Sequence, residues 1–397
     1  MCDVGNAERQ PMSPGEGRKT MCVRCDGLPG RGDALAAGLA RRSVLRGIGG
    51  AVGVGALVGG LAATPAQAAK PSLPKRGLSV VLLGTKGGPP VDVDRCGIAS
   101  AVVVDQSVYV VDAGRAAATQ YLLAGLRWAD LAGVFITHLH ADHIADYFNL
   151  FMLGGHASPT LMDTLPDSTP VYGPGPAGGL PPTFGGGDSP TTNPANPTPG
   201  LLALTDYCAN AYAYSTNVFM RDSRIRETRS LLDVREIALP AVGASYQNTA
   251  PSMPPFVVME DDRVRVSAVL VPHGPAFPSF AYRFDTDHGS VTFSGDTTYS
   301  DNLLGLAHRS DLLVHEAINV QGFAGPPALI DHLLQSHVEI QQVGKVAQRA
   351  DVRRLALSHL GDFAADRLDP RQWKAWAQQG YDGRVHVGDD LDVLRVR

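Results

Sequence analysis

From Leu78 onward the chain alternates short apolar, β-branched runs with stretches of helical composition, and the runs end on Gly, Pro, Asp or His. Leu78-Ser79-Val80-Val81-Leu82-Leu83 predicts a strand that stops at Gly84-Thr85, and Ile98 to Val104 and Val108 to Val111 predict the next two. Ala116 to Leu126 has helical composition and Val134 to Ile136 is strand-like again. His143 to Leu153 predicts a helix with Ile144, Tyr147, Phe148 and Phe151 on its apolar side. Val171-Tyr172 opens a further strand, which Gly173-Pro174-Gly175-Pro176 breaks. The Gly/Pro/Thr/Asn-rich stretch that follows, up to Gly200, reads as loop and a candidate lid. Leu201 to about Phe219 is helical in composition, so 174–235 reads as an insert of loop and helix.

Strands return after Arg235, at Ile237 to Leu239, Phe256 to Met259, Val264 to Val271, Phe280 to Phe284 and Val291 to Phe293. Helical stretches at Tyr299 to His308 and Val338 to Gln348 then alternate with strands at Leu312 to Val314 and Leu355 to Leu357. Two mixed halves, each with strands first and helices after, predict packed sheets with helices outside, an α/β class. No fixed-period repeat is visible.

A chain of 397 residues that is 44% apolar can bury a large core. Its first 68 residues have a different character. Ala40-Arg41-Arg42-Ser43-Val44-Leu45-Arg46 precedes a mildly apolar Gly/Ala stretch, Gly47 to Ala63, and then Ala66-Gln67-Ala68. This resembles a twin-arginine export signal, which makes 1–68 a leader and 69–397 the functional domain, expected in the periplasm or secreted. The apolar part is short and glycine-rich beside the roughly 20 strongly apolar residues a membrane span needs, so an uncleaved anchor is the lesser alternative. Cys22-Val23-Arg24-Cys25 lies in the leader and is half a zinc site at best. Beyond it only Cys96 and Cys208 remain, which either pair in an oxidising compartment or stay as two thiols.

The net charge is −5, and the leader holds eight Arg/Lys against five Asp/Glu, so the chain after Ala68 carries −8. An acidic surface without a basic stripe is a poor general binder of nucleic acid. Arg221, Arg224, Arg226 and Arg229 read as a solvated face rather than an anion clamp.

The chemistry concentrates directly after Gly133-Val134-Phe135-Ile136, in Thr137-His138-Leu139-His140-Ala141-Asp142-His143. Three imidazoles and a carboxylate in six residues cannot all face one way from a regular strand or helix, so they suit a turn that wraps side chains around cations. Imidazole and carboxylate favour zinc, with manganese or iron as alternatives. A metal pair needs more ligands, and three residues follow apolar strands where a rigid scaffold would present them at one rim. They are His273 after Val266 to Pro272, Asp296 after Val291 to Gly295, and His359 after Leu355 to Ser358.

The order His-x-His-x-Asp-His, His, Asp, His in a β-rich chain resembles the metallo-β-lactamase fold superfamily over nearly all of residues 78 to 397. Within it, Leu83-Gly84-Thr85, Val111-Asp112-Ala113-Gly114, Val171-Tyr172-Gly173-Pro174, Ser279 to Arg283, Ser294 to Thr297 and Val314-His315-Glu316-Ala317 resemble the zinc phosphodiesterase branch typified by ribonuclease Z, the 3′-tRNA-processing endoribonuclease family. The resemblance implies a metallo-β-lactamase-like αββα sandwich of two mixed β-sheets with outer helices. It implies that His138, His140 and His273 hold one zinc, that Asp142, His143 and His359 hold the other, and that Asp296 bridges both.

Such a pair, about 3.5–4 Å apart, polarises a phosphoryl group and lowers the pKa of a bridging water toward about 7. Asp142 is placed to orient or deprotonate that water. The same resemblance gives His337, assisted by Glu316, the role of protonating the departing oxygen. His337 stands in Gln335-Ser336-His337-Val338-Glu339, a departure from the family's His-Ser-Thr pattern, just before the helix predicted from Val338. Asp112 would fix a ligand imidazole from behind. His156, His288, His308, His332 and His386 match no family position and read as surface residues.

The leading expectation is an exported dinuclear zinc phosphodiesterase. Arylsulfatase-type ester hydrolysis is second, β-lactam hydrolysis third, and a noncatalytic metal-binding protein a separate class. The expected partners are a small anionic ester substrate, the export machinery that reads the leader and, as an open alternative, a second copy in a homodimer. Structured nucleic acid is disfavoured by the acidic chain and by the lack of a long basic arm.

Overall fold

In the computed structural model, which describes residues 73–155 and 163–396, the pleat of the first strand sends successive side chains to opposite sides. Val80 and Leu82 join one buried cluster, Val81 and Leu83 the other, and all four are fully enclosed. A strand buried on both faces reads as a continuous apolar run, which is why Leu78 to Leu83 shows no alternation. The segment expected to be a leader, with Arg41, Arg42, Cys22 and Cys25, lies outside the described residues, as does His156.

Strands β1 (Leu78–Gly84), β2 (Ala99–Val104), β3 (Ser107–Val111), β4 (Leu131–Phe135), β5 (Thr169–Gly173) and β6 (Leu232–Glu236) follow one another across the first sheet. The second sheet holds β7 (Phe256–Glu260), β8 (Arg265–Leu270), β9 (Phe280–Thr286), β10 (Gly289–Phe293), β11 (Leu312–Asn319), β12 (Arg354–Asp362) and β13 (Arg384–Val387). The last strand, β14 (Val393–Val396), returns to the first sheet and pairs antiparallel with β1. Each sheet therefore has seven strands, and each runs through three antiparallel pairings and then three parallel ones. This shared order is an internal repeat of topology with no counterpart as a sequence period.

Helices α1 (Ala117–Leu123), α2 (Ala141–Ile144), α3 (Tyr147–Gly154), α4 (Leu201–Ala211) and α5 (Ala213–Asp222) accompany the first sheet in sequence; α6 (Asp301–Ala307), α7 (Pro327–Ser336), α8 (Ile340–Arg349) and α9 (Pro370–Ala377) accompany the second. Tyr121, Phe148, Leu150 and Phe151 pack α1 and α3 on the outer face of the first sheet. Leu306, Val343, Val346 and Trp373 do the same for α6, α8 and α9 on the second. Between the sheets Phe135 stacks on Tyr172 at 5.0 Å and meets Phe284 edge-on at 5.1 Å, which locks the two layers directly beneath the histidine loop. Leu150, fully buried on α3 and remote from the ligands, gives a control on stability. Leu150→Ala is expected to cost about 2–5 kcal/mol in urea unfolding with metal binding retained.

Several elements depart from the pattern. The helix predicted over His143 to Leu153 is two, because Asp146 leaves helical geometry. Its amide donates to the Ala113 carbonyl at 2.8 Å and its carboxylate accepts the Ala118 amide at 3.0 Å, capping α1, which lacks a cap of its own. The Leu201 to Phe219 helix breaks at Tyr212, whose ring stacks on Phe148. Ile237 to Leu239 is not a strand. Its predicted place is taken by the more polar Leu232–Glu236, an edge strand, and the pairing ends where β5 runs into Pro174.

Helices α7 and α9 and strands β13 and β14 were not foreseen. Asp369-Pro370 was a legible start for α9, since the Asp369 side chain accepts the Arg371 amide and Pro occupies the first turn. The four-residue β14 finds its partner more than three hundred positions away, which no local pattern encodes.

Candidate metal centre

The parallel strands deliver the chemistry to one rim, the end of an α/β sheet where ligands usually bind. Asp112 follows β3, Thr137–His143 follows β4, Asp296 comes three residues after β10, and Glu316 and His359 sit within β11 and β12, where the register shifts. His273 comes three residues after β8. Two glycines make the approach possible. A side chain on Gly295, which has φ +58°, would come within 2.4 Å of the Phe280 carbonyl oxygen. At Gly88 it would overlap Asp142, whose Oδ2 instead accepts the Gly88 amide at 3.0 Å.

Three imidazole nitrogens meet at one point. His140 Nδ1 lies 3.0 Å from His138 Nε2 and 3.1 Å from His273 Nε2. Beside them His359 Nε2 lies 3.3 Å from Asp142 Oδ2, and His143 Nε2 lies 3.5 Å from the same oxygen. Asp296 Oδ2 stands between the two groups, 3.1 Å from His359, 3.3 Å from His143, 3.7 Å from His273 and 3.9 Å from His138. Ligands tetrahedrally placed about 2.0–2.1 Å from a zinc ion are about 3.3 Å from one another, so this spacing fits a cation in each group. The His143 Nε2 atom is buried without a hydrogen-bond partner, as a metal-binding nitrogen would be in the bare polypeptide. Nitrogen and oxygen donors without thiolate suit a divalent ion such as zinc, manganese or iron.

The ring nitrogens of His273, His143 and His138 that face away from the centre are held. His273 Nδ1–H donates to the Ser336 carbonyl at 2.8 Å, which leaves Nε2 as the free lone pair. Asp112 Oδ2 accepts from His143 Nδ1 at 2.9 Å, and its carboxylate also takes the amide and hydroxyl of Thr137. Thr137 Oγ1 in turn lies 3.0 Å from His138 Nδ1, so Asp112 orients one ligand of each group. Thr137, Gly88 and the Ser336 carbonyl were not singled out from the sequence; the position of Thr137 directly before His138 was the available signal. Asp112→Asn is expected to weaken metal binding by roughly 10–100-fold, read by chelator competition, because one Asp112 oxygen becomes an N–H that faces a donor.

Burial sets the charge states. It holds His138 and His140 below the ordinary histidine range, and it brings His273 down to about 3, with neighbouring imidazoles adding to the effect. This trio is neutral and ready to bind a cation at neutral pH. Burial also opposes a charge on His143, but the carboxylates of Asp296 and Asp112 outweigh it and keep this imidazole protonated in the bare polypeptide.

His337 lies at the lip, its ring 4.9 Å from that of His273 and stacked 5.7 Å from that of His359. Contrary to the expectation of a helix start, it caps the end of α7 and precedes α8 by three residues. Its Nδ1 lies 3.2 Å from Glu316 Oε2, while Glu316 Oε1 accepts the Val338 amide at 2.7 Å. Both Glu316 oxygens are thus engaged, which favours a supporting role over metal ligation. Burial resists charge on His337, but Glu316 overrides it and pushes the imidazole up to about 9.

His288, His308 and His386 are exposed, while His332 is half-buried against Phe184. Arg226 and Arg229 pair with Asp167 and Asp206, and Cys96 and Cys208 are both free thiols.

A family model described as the Metallo-beta-lactamase superfamily matches residues 94–151. The ribonuclease Z of Mycobacterium bovis (strain BCG / Pasteur 1173P2) is 25% identical over 320 residues, which cover 80% of this chain and 98% of that protein. The ribonuclease Z of Mycobacterium avium (strain 104) is 28% identical with the same coverage. Among solved structures, the short form of human tRNase Z matches with a TM-score of 0.53 at 19% identity, over 80% of this chain and 99% of that one. The metallo-beta-lactamase fold protein YhfI from Bacillus subtilis matches with a TM-score of 0.52 at 17% identity and the same coverage. The fold is the metallo-β-lactamase αββα sandwich, and the relatives in sequence are ribonuclease Z-like.

Proposed function

We propose that this metal-dependent hydrolase is a dinuclear zinc phosphodiesterase acting on a compact anionic ester, and that its leader directs it out of the cytoplasm. The observation that carries the dinuclear reading is the position of Asp296 Oδ2, within 3.9 Å of four imidazole nitrogens that belong to two donor groups. His138, His140 and His273 would hold one ion and Asp142, His143 and His359 the other. Bound there, two divalent ions supply Lewis acidity toward the ester oxygens and a water activated for attack at neutral pH.

The residues do the rest. Asp142, fixed by the Gly88 amide, presents a carboxylate edge at which an attacking water can be oriented and its proton received. His337, held by Glu316 and 13% exposed at its side chain, is a charged N–H donor at the mouth, able to pass a proton to the leaving oxygen. Asp112 and Thr137 keep the imidazoles from turning, so the geometry is set before substrate arrives.

The phosphodiester assignment draws on the ribonuclease Z likeness along 80% of the chain. The compact substrate draws on charge. Lys86 bridges to Leu360 beside the ligand His359, and the cleft it lines also carries Asp92, Asp94, Asp362, Asp366 and Asp389. Its two arginines are already paired, Arg95 with Asp389 and Arg367 with Asp94. A long polyanion would meet repulsion along this flank, whereas a single diester would not.

A panel of zinc-loaded protein against bis-p-nitrophenyl phosphate, an aryl sulfate, a β-lactam and precursor transfer RNA tests the reading. Turnover of the phosphodiester above the others is expected. Preferential turnover of the sulfate or the lactam, or inertness on the whole panel, would overturn it.

A further inference from the structure

Behind the ligands, between the two sheets, lies a cavity of about 30 Å³ whose lining includes Asp296, His315 and Ser358. Each of these contributes a buried polar atom that no protein group satisfies: Asp296 Oδ1, His315 Nε2 and Ser358 Oγ. Three orphaned polar atoms on one small cavity are costly unless something in it bonds them, since a buried donor or acceptor left unpaired keeps its full desolvation penalty. A cavity of this size admits one or two water molecules, and although Ile98, Val111, Phe293 and Val314 make much of its wall apolar, the three polar atoms give water its partners.

The donor and acceptor count closes. His315 Nδ1 lies 2.5 Å from the Glu316 carbonyl and so carries the proton that bonds it. Burial favours the neutral ring, so Nε2 is left as an acceptor. Asp296 Oδ1 is an acceptor as well, and the Ser358 hydroxyl supplies a hydrogen. In number, the two hydrogens and the lone pairs of a water match these two acceptors and one donor. Of the other orphaned atoms, His143 Nε2 belongs to the metal centre, His359 Nδ1 faces Gly87, and Ser79 Oγ, Thr169 Oγ1 and Gln341 Oε1 are on residues that do not line this cavity.

We propose that ordered water fills this cavity and that His315 and Ser358 are positioning residues, which through it hold Asp296 Oδ1 and thereby keep Oδ2 turned toward the four imidazoles. A bridging carboxylate held at its back cannot swing to serve one donor group alone, so the arrangement stabilises the pair of sites rather than either one. The inference rests on the metal-centre reading and not on the identity of the ester.

The test is zinc affinity, measured by chelator competition without substrate, for Ser358→Ala and His315→Phe. About tenfold weaker binding of the more loosely held ion is expected in each, with the unfolding midpoint of the metal-free protein little changed for Ser358→Ala. Wild-type affinity in Ser358→Ala overturns the proposal, and so does a lowered midpoint without any change in affinity. Should His315→Phe fail to fold, Ser358→Ala carries the test, since it removes a single oxygen. A crystal structure of the zinc-loaded protein decides directly. Water within hydrogen-bond distance of Asp296 Oδ1 and His315 Nε2 supports the proposal, and a dry cavity overturns it. A protein that binds zinc but cleaves no phosphodiester would sink the proposed function and leave this inference standing.

Discussion

Replacing Asp296 by Asn is expected to lower kcat/KM by at least about 10³-fold and to reduce bound zinc below one ion per chain. The side chain keeps its shape, so the fold should survive and the loss should trace to charge and lone pairs. Asp296 is 3% exposed, and among the described residues its Oδ2 is the carboxylate oxygen that lies within 3.9 Å of both the His138–His273 pair and the His143–His359 pair. An amide there either turns its N–H toward a cation or offers one neutral oxygen, and neither neutralises two positive ions. His140→Ala should behave differently, because His140 Nδ1 meets His138 and His273, ligands of one group. It should cost one ion and leave the Asp142, His143 and His359 group loaded. Metal analysis of the two variants side by side checks this. Two zincs retained at wild-type affinity in Asp296→Asn would rule out the bridge.

The contrast between these variants also shows where sequence reading reached and where it stopped. The His138 to His143 loop was legible because its donors are packed into six residues, and His273, Asp296 and His359 were legible because each follows an apolar run that could only be a buried strand. What joins them is long-range. Asp142 meets His359 across 217 positions and His140 meets His273 across 133, distances that only the sandwich closes. The supports were harder still. Thr137 and the Ser336 carbonyl carry no compositional mark, since a threonine or a main-chain oxygen becomes a second layer only when a ligand ring is placed against it. The same limit hid β14, whose four residues mean nothing until β1 stands open beside them, and it misplaced β6, where edge position favours the polar Leu232–Glu236 over the more apolar segment that follows. His337 fell between. Its neighbour Glu316 was visible in Val314-His315-Glu316-Ala317, but the turn that ends α7 and brings the imidazole to the lip was not.

That placement gives His337 a role separable from metal binding, and the separation is testable through the leaving group. A proton donor helps most when the departing oxygen is basic, and an alkoxide or ribose oxygen cannot leave well without one. p-Nitrophenolate is a weak base and departs unaided. His337→Ala should therefore lower kcat by roughly 10²–10⁴-fold on an alkyl phosphodiester and far less on bis-p-nitrophenyl phosphate, with zinc content unchanged. Glu316→Gln should follow the same pattern in milder form, because the amide keeps an acceptor for the Val338 amide but no longer stabilises the imidazolium. A metal ligand would behave otherwise, losing activity on both esters together with zinc. If His337→Ala slows the two substrates equally, the imidazole serves geometry or binding instead, and the proton for the leaving group has to come from Asp142 or from solvent.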